Sequence, residues 1–134
     1  LTLVGVAPLR QHRTCVAGQV CTVDGLVGTG LTALDKVWVL DTCGVAVSAP
    51  RLPDVGLAAS LAWDNASATA FAFGSAAVTG PGGLYRLCWC SGAAPTGCDE
   101  AVEFRVEAGN FDLIGVSPLS QDQTCLSGQT CVLE

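Results

Sequence analysis

Residues 1–24, LTLVGVAPLRQHRTCVAGQVCTVD, align without a gap to residues 111–134, FDLIGVSPLSQDQTCLSGQTCVLE, at an offset of 110. Eleven of the twenty-four pairs are identical: Leu3, Gly5, Val6, Pro8, Leu9, Gln11, Thr14, Cys15, Gly18, Gln19 and Cys21 match the residues 110 positions later. Chance does not produce such a run. The alignment predicts one complete unit over 1–110 and, over 111–134, the first strands of the next repeat. A period near 110 is too long for the usual solenoid repeats and has the size of one β-sandwich domain. The abrupt close at CVLE favours a slice of a longer polypeptide.

Outward from this repeat, the chain reads as short strands and turns. LTLVGVAP is an extended opening that Pro8 ends, as proline suits an edge or a strand end. QVCTVDGLVGTGL runs a second strand into glycine turns. DKVWVLDTC sets Val37 and Val39 against Trp38 and Leu40, the alternation of a half-buried strand. SATAFAFGSA alternates small residues with Phe71 and Phe73. GLYRLCWC puts Tyr85, Leu87 and Trp89 on one face and Arg86, Cys88 and Cys90 on the other. AVEFRVEAG predicts Val102, Phe104 and Val106 inward, with Glu103, Arg105 and Glu107 outward. With the weaker VGLAASLAW, for which a short helix over 56–63 is the alternative, the count is about seven strands. The expected class is an all-β sandwich. FRVEAGN passes into FDLIGV with no linker, so successive units should form a stiff rod.

Composition narrows the setting. A net charge of −6, with a single lysine, argues against nucleic acid, whose phosphates need a basic face, and against anionic lipid. No run of eighteen apolar residues offers a membrane span. Eight cysteines with one histidine and no C-x2-C spacing read as a disulfide framework outside the reducing cytosol. Asn65-Ala66-Ser67 is an N-glycosylation sequon, which agrees with secretion and covalent glycans.

The order VGVAP…G…VGTGL…DKVWV…C resembles the opening of IPT/TIG-type immunoglobulin-like domains. Val6, Pro8, Gly18, Val27, Gly28, Gly30, Leu31, Val37 and Val39 carry the match, over roughly the first forty residues. The resemblance implies an immunoglobulin-like sandwich. The cysteines depart from that pattern and are similar to cysteine-rich immunoglobulin-like repeats of large protist surface and filament proteins. That second resemblance implies a structural, extracellular, often glycosylated protein that builds fibrils or surface appendages.

Six cysteines fall within one period, so each unit can close its own bridges. Cys15–Cys21 spans VAGQV, whose glycine can turn the chain back. Cys125–Cys131 repeats it. Cys90–Cys98 would close the turn-rich SGAAPTG loop. Cys43 is left to Cys88, or to Cys90 in Cys88's place. A redox role for the CxC pair lacks the βαβ context that such chemistry favours.

Catalytic readings are poor. His12 is aligned with Asp122, so the two copies do not share it, and no nucleophile elbow, HExxH or P-loop occurs. The carboxylates lack calcium-loop spacing, although Asp99, Glu100 and Asp112 lie towards ends where units could meet. No cofactor is expected. Trp38, Trp63 and Trp89 suggest a sugar platform, but Trp89 falls on the inward face. The surplus 111–134 segment either begins a covalent next domain or adds a strand to a neighbour's sheet edge. Phe111, Leu113, Ile114 and Val116 would be its assembly residues. Both routes give a head-to-tail line of copies, which does not close on itself. The expected function is a structural module of a fibril, flagellar hair or surface coat. The rival is an adhesin or receptor module binding protein or carbohydrate.

Overall fold

A computed structural model describes residues 3–65, 68–93 and 97–133, and the side chains at 60–69 lie outside that description. Among the described residues there are eight strands: β1 (Gly5–Val6), β2 (Arg13–Val16), β3 (Thr22–Thr29), β4 (Lys36–Leu40), β5 (Leu57–Asn65), β6 (Ala68–Ala72), β7 (Gly83–Cys90) and β8 (Val106–Ile114). Two 3-10 turns, Pro53–Gly56 and Ala101–Glu103, accompany them. Eight strands stand where about seven were expected because Arg13–Val16, between the opening strand and the glycine-turn strand, forms a strand of its own, assigned to none of those expected. β1 pairs antiparallel with β3. After Pro8 the chain crosses over, and β2 runs parallel to β8.

The pairings form two sheets. One is β1-β3-β6-β5, the other β5-β4-β7-β8-β2. β5 belongs to both: Leu57 to Ala59 pair with β4, and Ser60 to Asn65 pair with β6 through two register shifts. Bulged strands bend in this way where they change sheets. The segment is a strand, and the helical alternative over 56–63 does not occur.

The main core fills the space between the sheets. Val23, Leu26, Phe71 and Phe73 come from one side, Val37, Val39, Leu87, Ala108, Phe111 and Leu113 from the other. Phe73 and Phe111 meet edge-on across the layers, with ring centroids 5.8 Å apart, a favoured aromatic geometry. The alternation in 36–40 is realised: Val37 and Val39 enter this core, while Leu40 turns to the outer face.

That outer face is also covered. Leu40, Cys88, Cys90, Cys98, Ala101 and Phe104 form a second cluster, with Trp38 and Leu57 packed on it. Here one expectation fails. Residues 101–103 form a 3-10 turn and not a strand, and of the three residues expected inward Val102 and Val106 are exposed and only Phe104 is buried. The turn is capped reciprocally by Glu100 and Glu103. It drops Phe104 onto the cysteine face of β7, where Phe104 meets Trp38 edge-on at 5.3 Å. There Phe104 helps keep Cys88 and Cys90 buried, an apolar contribution of the kind that stabilises a fold.

Asp35 is fully buried, yet its carboxylate is well supplied. It accepts bonds from the Thr32 N–H at 3.1 Å, the Thr32 hydroxyl at 2.8 Å and the Gly92 N–H at 2.8 Å. A buried carboxylate must be bonded in this way to be tolerated. Asp35 thereby ties the turn after β3 to the turn after β7.

Candidate functional site

The 134-residue chain shows the same 24-residue segment in two surroundings. In the first copy, Gln11 is the hub. Its side-chain amide donates to the Val27 and Pro8 carbonyls at 2.8 and 2.9 Å, and its side-chain carbonyl accepts the Val27 N–H at 2.8 Å. The Gln11 N–H donates to Ala108 O at 2.7 Å, so this one residue stitches β3 to β8 across the sheets. In the second copy, Gln121 repeats only the local bond, to Pro118 O at 2.8 Å.

Other local features also recur. Gln19 N–H bonds Val16 O at 3.2 Å, and Gln129 N–H bonds Leu126 O at 3.3 Å. Gly18 and Gly128 both take positive φ, +92° and +85°. The clasps have Cα separations of 5.6 Å for Cys15–Cys21 and 5.7 Å for Cys125–Cys131. Burial does not recur. Val6 is 5 % exposed and its counterpart Val116 65 %; Val23 is fully buried and its counterpart Leu133 is 72 % exposed. Cys15 and Cys21 are buried, and Cys125 and Cys131 are exposed. The second copy has the local shape of a unit's opening with no sheet packed on its core positions.

These two surroundings give an asymmetric prediction. Gln11→Ala removes the partner of the Val27 N–H and of the Pro8 carbonyl in these part-buried bonds, while Val27 O keeps the Ala7 N–H at 3.1 Å, and should cost about 1–3 kcal/mol. Gln121→Ala, an exposed change with no partner beyond its own turn, should stay within about 0.5 kcal/mol. Urea denaturation of the oxidised protein checks both. Equal losses would contradict the described asymmetry.

The joint between the copies is short. β8 ends at Ile114, and Gly115 and Val116 correspond to Gly5 and Val6 of β1. The Gly82 N–H donates to Val116 O at 2.9 Å. A β-carbon on Gly82 would collide with the Gly115 backbone, so only glycine permits this approach. At the other pole, Gly5 lies against the Trp89 ring, and Val4 fills the space over Gly30, whose φ is +69°. A side chain on Gly30 would be strained by that backbone and would overlap Val4.

The sequence places four assembly residues in 111–134, and the structure separates them. Phe111 and Leu113 fill the core of the first unit. Ile114 and Val116 are exposed. The 110/111 boundary therefore falls inside β8. Phe111 to Leu113 pair with β7, and Phe111 to Ile114 with β2. This segment adds its strand to its own unit's sheet, which leaves no free strand at 111–114 for a neighbour.

All eight cysteines are bonded: Cys15–Cys21, Cys43–Cys88, Cys90–Cys98 and Cys125–Cys131. Cys43 joins Cys88 rather than Cys90, with Cα atoms 5.5 Å apart. Four bridges fit an extracellular protein. Among the described residues no helix is long and apolar enough to cross a membrane. Asn65 ends β5, but its side chain and the rest of the sequon lie outside the described residues, as does the Trp63 side chain.

His12 has a structural partner: its Nδ1 accepts the Asn110 N–H at 2.9 Å, fastening the approach to β2 onto β8. Asp99 and Glu100 line a cleft of about 680 Å³ near Trp89, whereas Asp112 lies towards the opposite end of β8. Among the described residues no group of three or more His, Cys, Asp or Glu is placed to hold a metal ion. Trp38 donates its Nε1–H to Val55 O at 3.0 Å and packs on Phe104, so it is built into the outer cluster. Trp89 is buried in the main core.

Gln11 and Gly82 were not singled out in the sequence. Gln11 had a usable signal, as one of the eleven identical pairs. Gly82 had none, because the glycine-rich TGPGGL stretch reads as an ordinary turn. Comparison with protein-family models, curated proteins and solved structures finds no match to this chain.

Proposed function

We propose that this chain is an immunoglobulin-like repeat of an extracellular structural protein, in which copies stand head to tail in a fibril, flagellar hair or surface coat. The carrying observation is the second copy: its turns match the first, while its core-equivalent residues stand exposed. Such residues are covered once the remainder of a unit follows them.

The sheet connections support the immunoglobulin-like reading. β1 lies antiparallel on the first sheet, β2 lies parallel to the last strand on the second, and β5 crosses between the sheets. The poles support the linear one. Along β8, Val106 lies beside Trp89 and the entry strand, whereas Leu113 lies beside Gly83 and the exit. Entry and exit are thus at opposite ends of the same strand. Disulfides within each unit would let every copy stabilise itself. The acidic charge and the sequon fit a glycosylated exterior.

Negative-stain microscopy of native material prepared without reductant tests this. Unbranched filaments of regular width are expected. Their axial spacing should be at least about 30 Å per unit, since a nine-residue strand spans about 3.3 Å per residue. Dispersed particles that bind a glycan array would sink the proposal.

A further inference from the structure

We infer that the apolar groove at the entry pole is the seat of the preceding unit's 79–83 loop. The inference rests on the repeat reading above and adds the contact by which neighbours lock. The groove measures about 350 Å³ and is lined by Val4, Val6, Leu9, Thr29, Trp89 and Val106, among others. None of these six is charged.

The occupant follows from superposing the two views of the joint. At the exit, Gly82 N–H holds Val116 O. Val116 is the counterpart of Val6, so a preceding unit would present its own Gly82 N–H to Val6 O. The open side of β1 is correctly turned for this. Ala7 N–H bonds Val27 O at 3.1 Å, while the Val27 N–H goes to the Gln11 side chain, so Ala7 turns its N–H towards β3. Pairs alternate along an antiparallel ladder, so Val6, set opposite Gly28, points its own N–H and C=O away from β3. The preceding loop approaches from that edge.

Its composition suits the site. Thr79, Gly80, Pro81, Gly82 and Gly83 are small, and none carries a charge. The four residues of the joint then divide between the units. Leu113 is buried upstream, so Leu3, exposed here, would turn into the preceding core. Val4 covers Gly30, so Ile114, exposed here, would cover the next unit's equivalent glycine. Glycine at position 5 or 115 lies between both units, and valine at 6 or 116 enters the downstream core. With no linker and a loop seated at the pole, the units cannot swivel independently.

The test is a chain carrying the period twice, residues 1–110 followed by 1–134, studied by NMR in its oxidised form. Both units should share one alignment tensor. Cross-unit NOEs should connect the upstream 79–83 loop with downstream Val4, Val6, Leu9 and Val106 methyls. Gly82→Val in the upstream unit should abolish those NOEs and split the tensor in two. Val106→Lys in the downstream unit, a half-exposed groove position away from the joint backbone, should do the same. Two independent tensors without cross-unit NOEs in the parent chain would overturn the inference. NOEs that survive Val106→Lys unchanged would also overturn it. Regular filaments built of swivelling units would leave the linear-assembly proposal standing while this contact fails.

Discussion

Phe111→Ala is expected to cost about 3–5 kcal/mol, the range for removing a buried phenylalanine. Phe111 is fully buried and its ring abuts Phe73 from the opposite sheet. Truncation would leave a cavity at the middle of the sandwich, where both layers converge and neither can collapse without shifting the other. Ile114→Ala, three residues on in the same strand but exposed, should change stability by no more than about 0.5 kcal/mol. The contrast decides to which unit 111–114 belongs. If those residues were a surplus strand offered to a neighbour, Phe111→Ala would be silent in the isolated chain. Urea midpoints of the two variants, read at unchanged slope, separate the cases.

The boundary was hard to read in the sequence for a physical reason. An alignment of repeats shows where likeness begins, not which fold a strand completes. At a linkerless joint the last strand of one unit and the first of the next are a single run of extended chain. The alternation that identified β4 and β7 worked because those strands lie between neighbours on both sides, where inward and outward residues meet different surroundings. It misled at 101–106, where the same period-two pattern was present but the cysteine face of β7 is covered by the 101–104 segment. A long-range requirement outweighed a local one there. The buried polar residues were the least legible. Asp35 and Gln11 are polar types that usually face water, and only the partners brought by folding make their burial tolerable.

Replacing Cys43 and Cys88 together by alanine is the other change of large expected effect. Their bridge joins residues 45 apart, and in the chain-entropy model a loop of that length contributes on the order of 4 kcal/mol by restricting the unfolded chain. The clasp at Cys15–Cys21, with a separation of 6, contributes about 2 kcal/mol in the same model. The long bridge also has a folded-state role. It pins the loop after β4 to β7 inside the outer cluster, beside Leu40, Phe104 and Trp38. Its loss removes buried sulfur from that cluster as well as the cross-link, so the double variant should fall at or beyond the entropic figure. Both residues must be changed, because a lone thiol at either site could exchange with Cys90–Cys98 close by. Thermal and urea denaturation of Cys43→Ala/Cys88→Ala against Cys15→Ala/Cys21→Ala measures the ordering. If the short clasp proved the costlier loss, the sandwich would be held chiefly at its opening turn and not through its central strand.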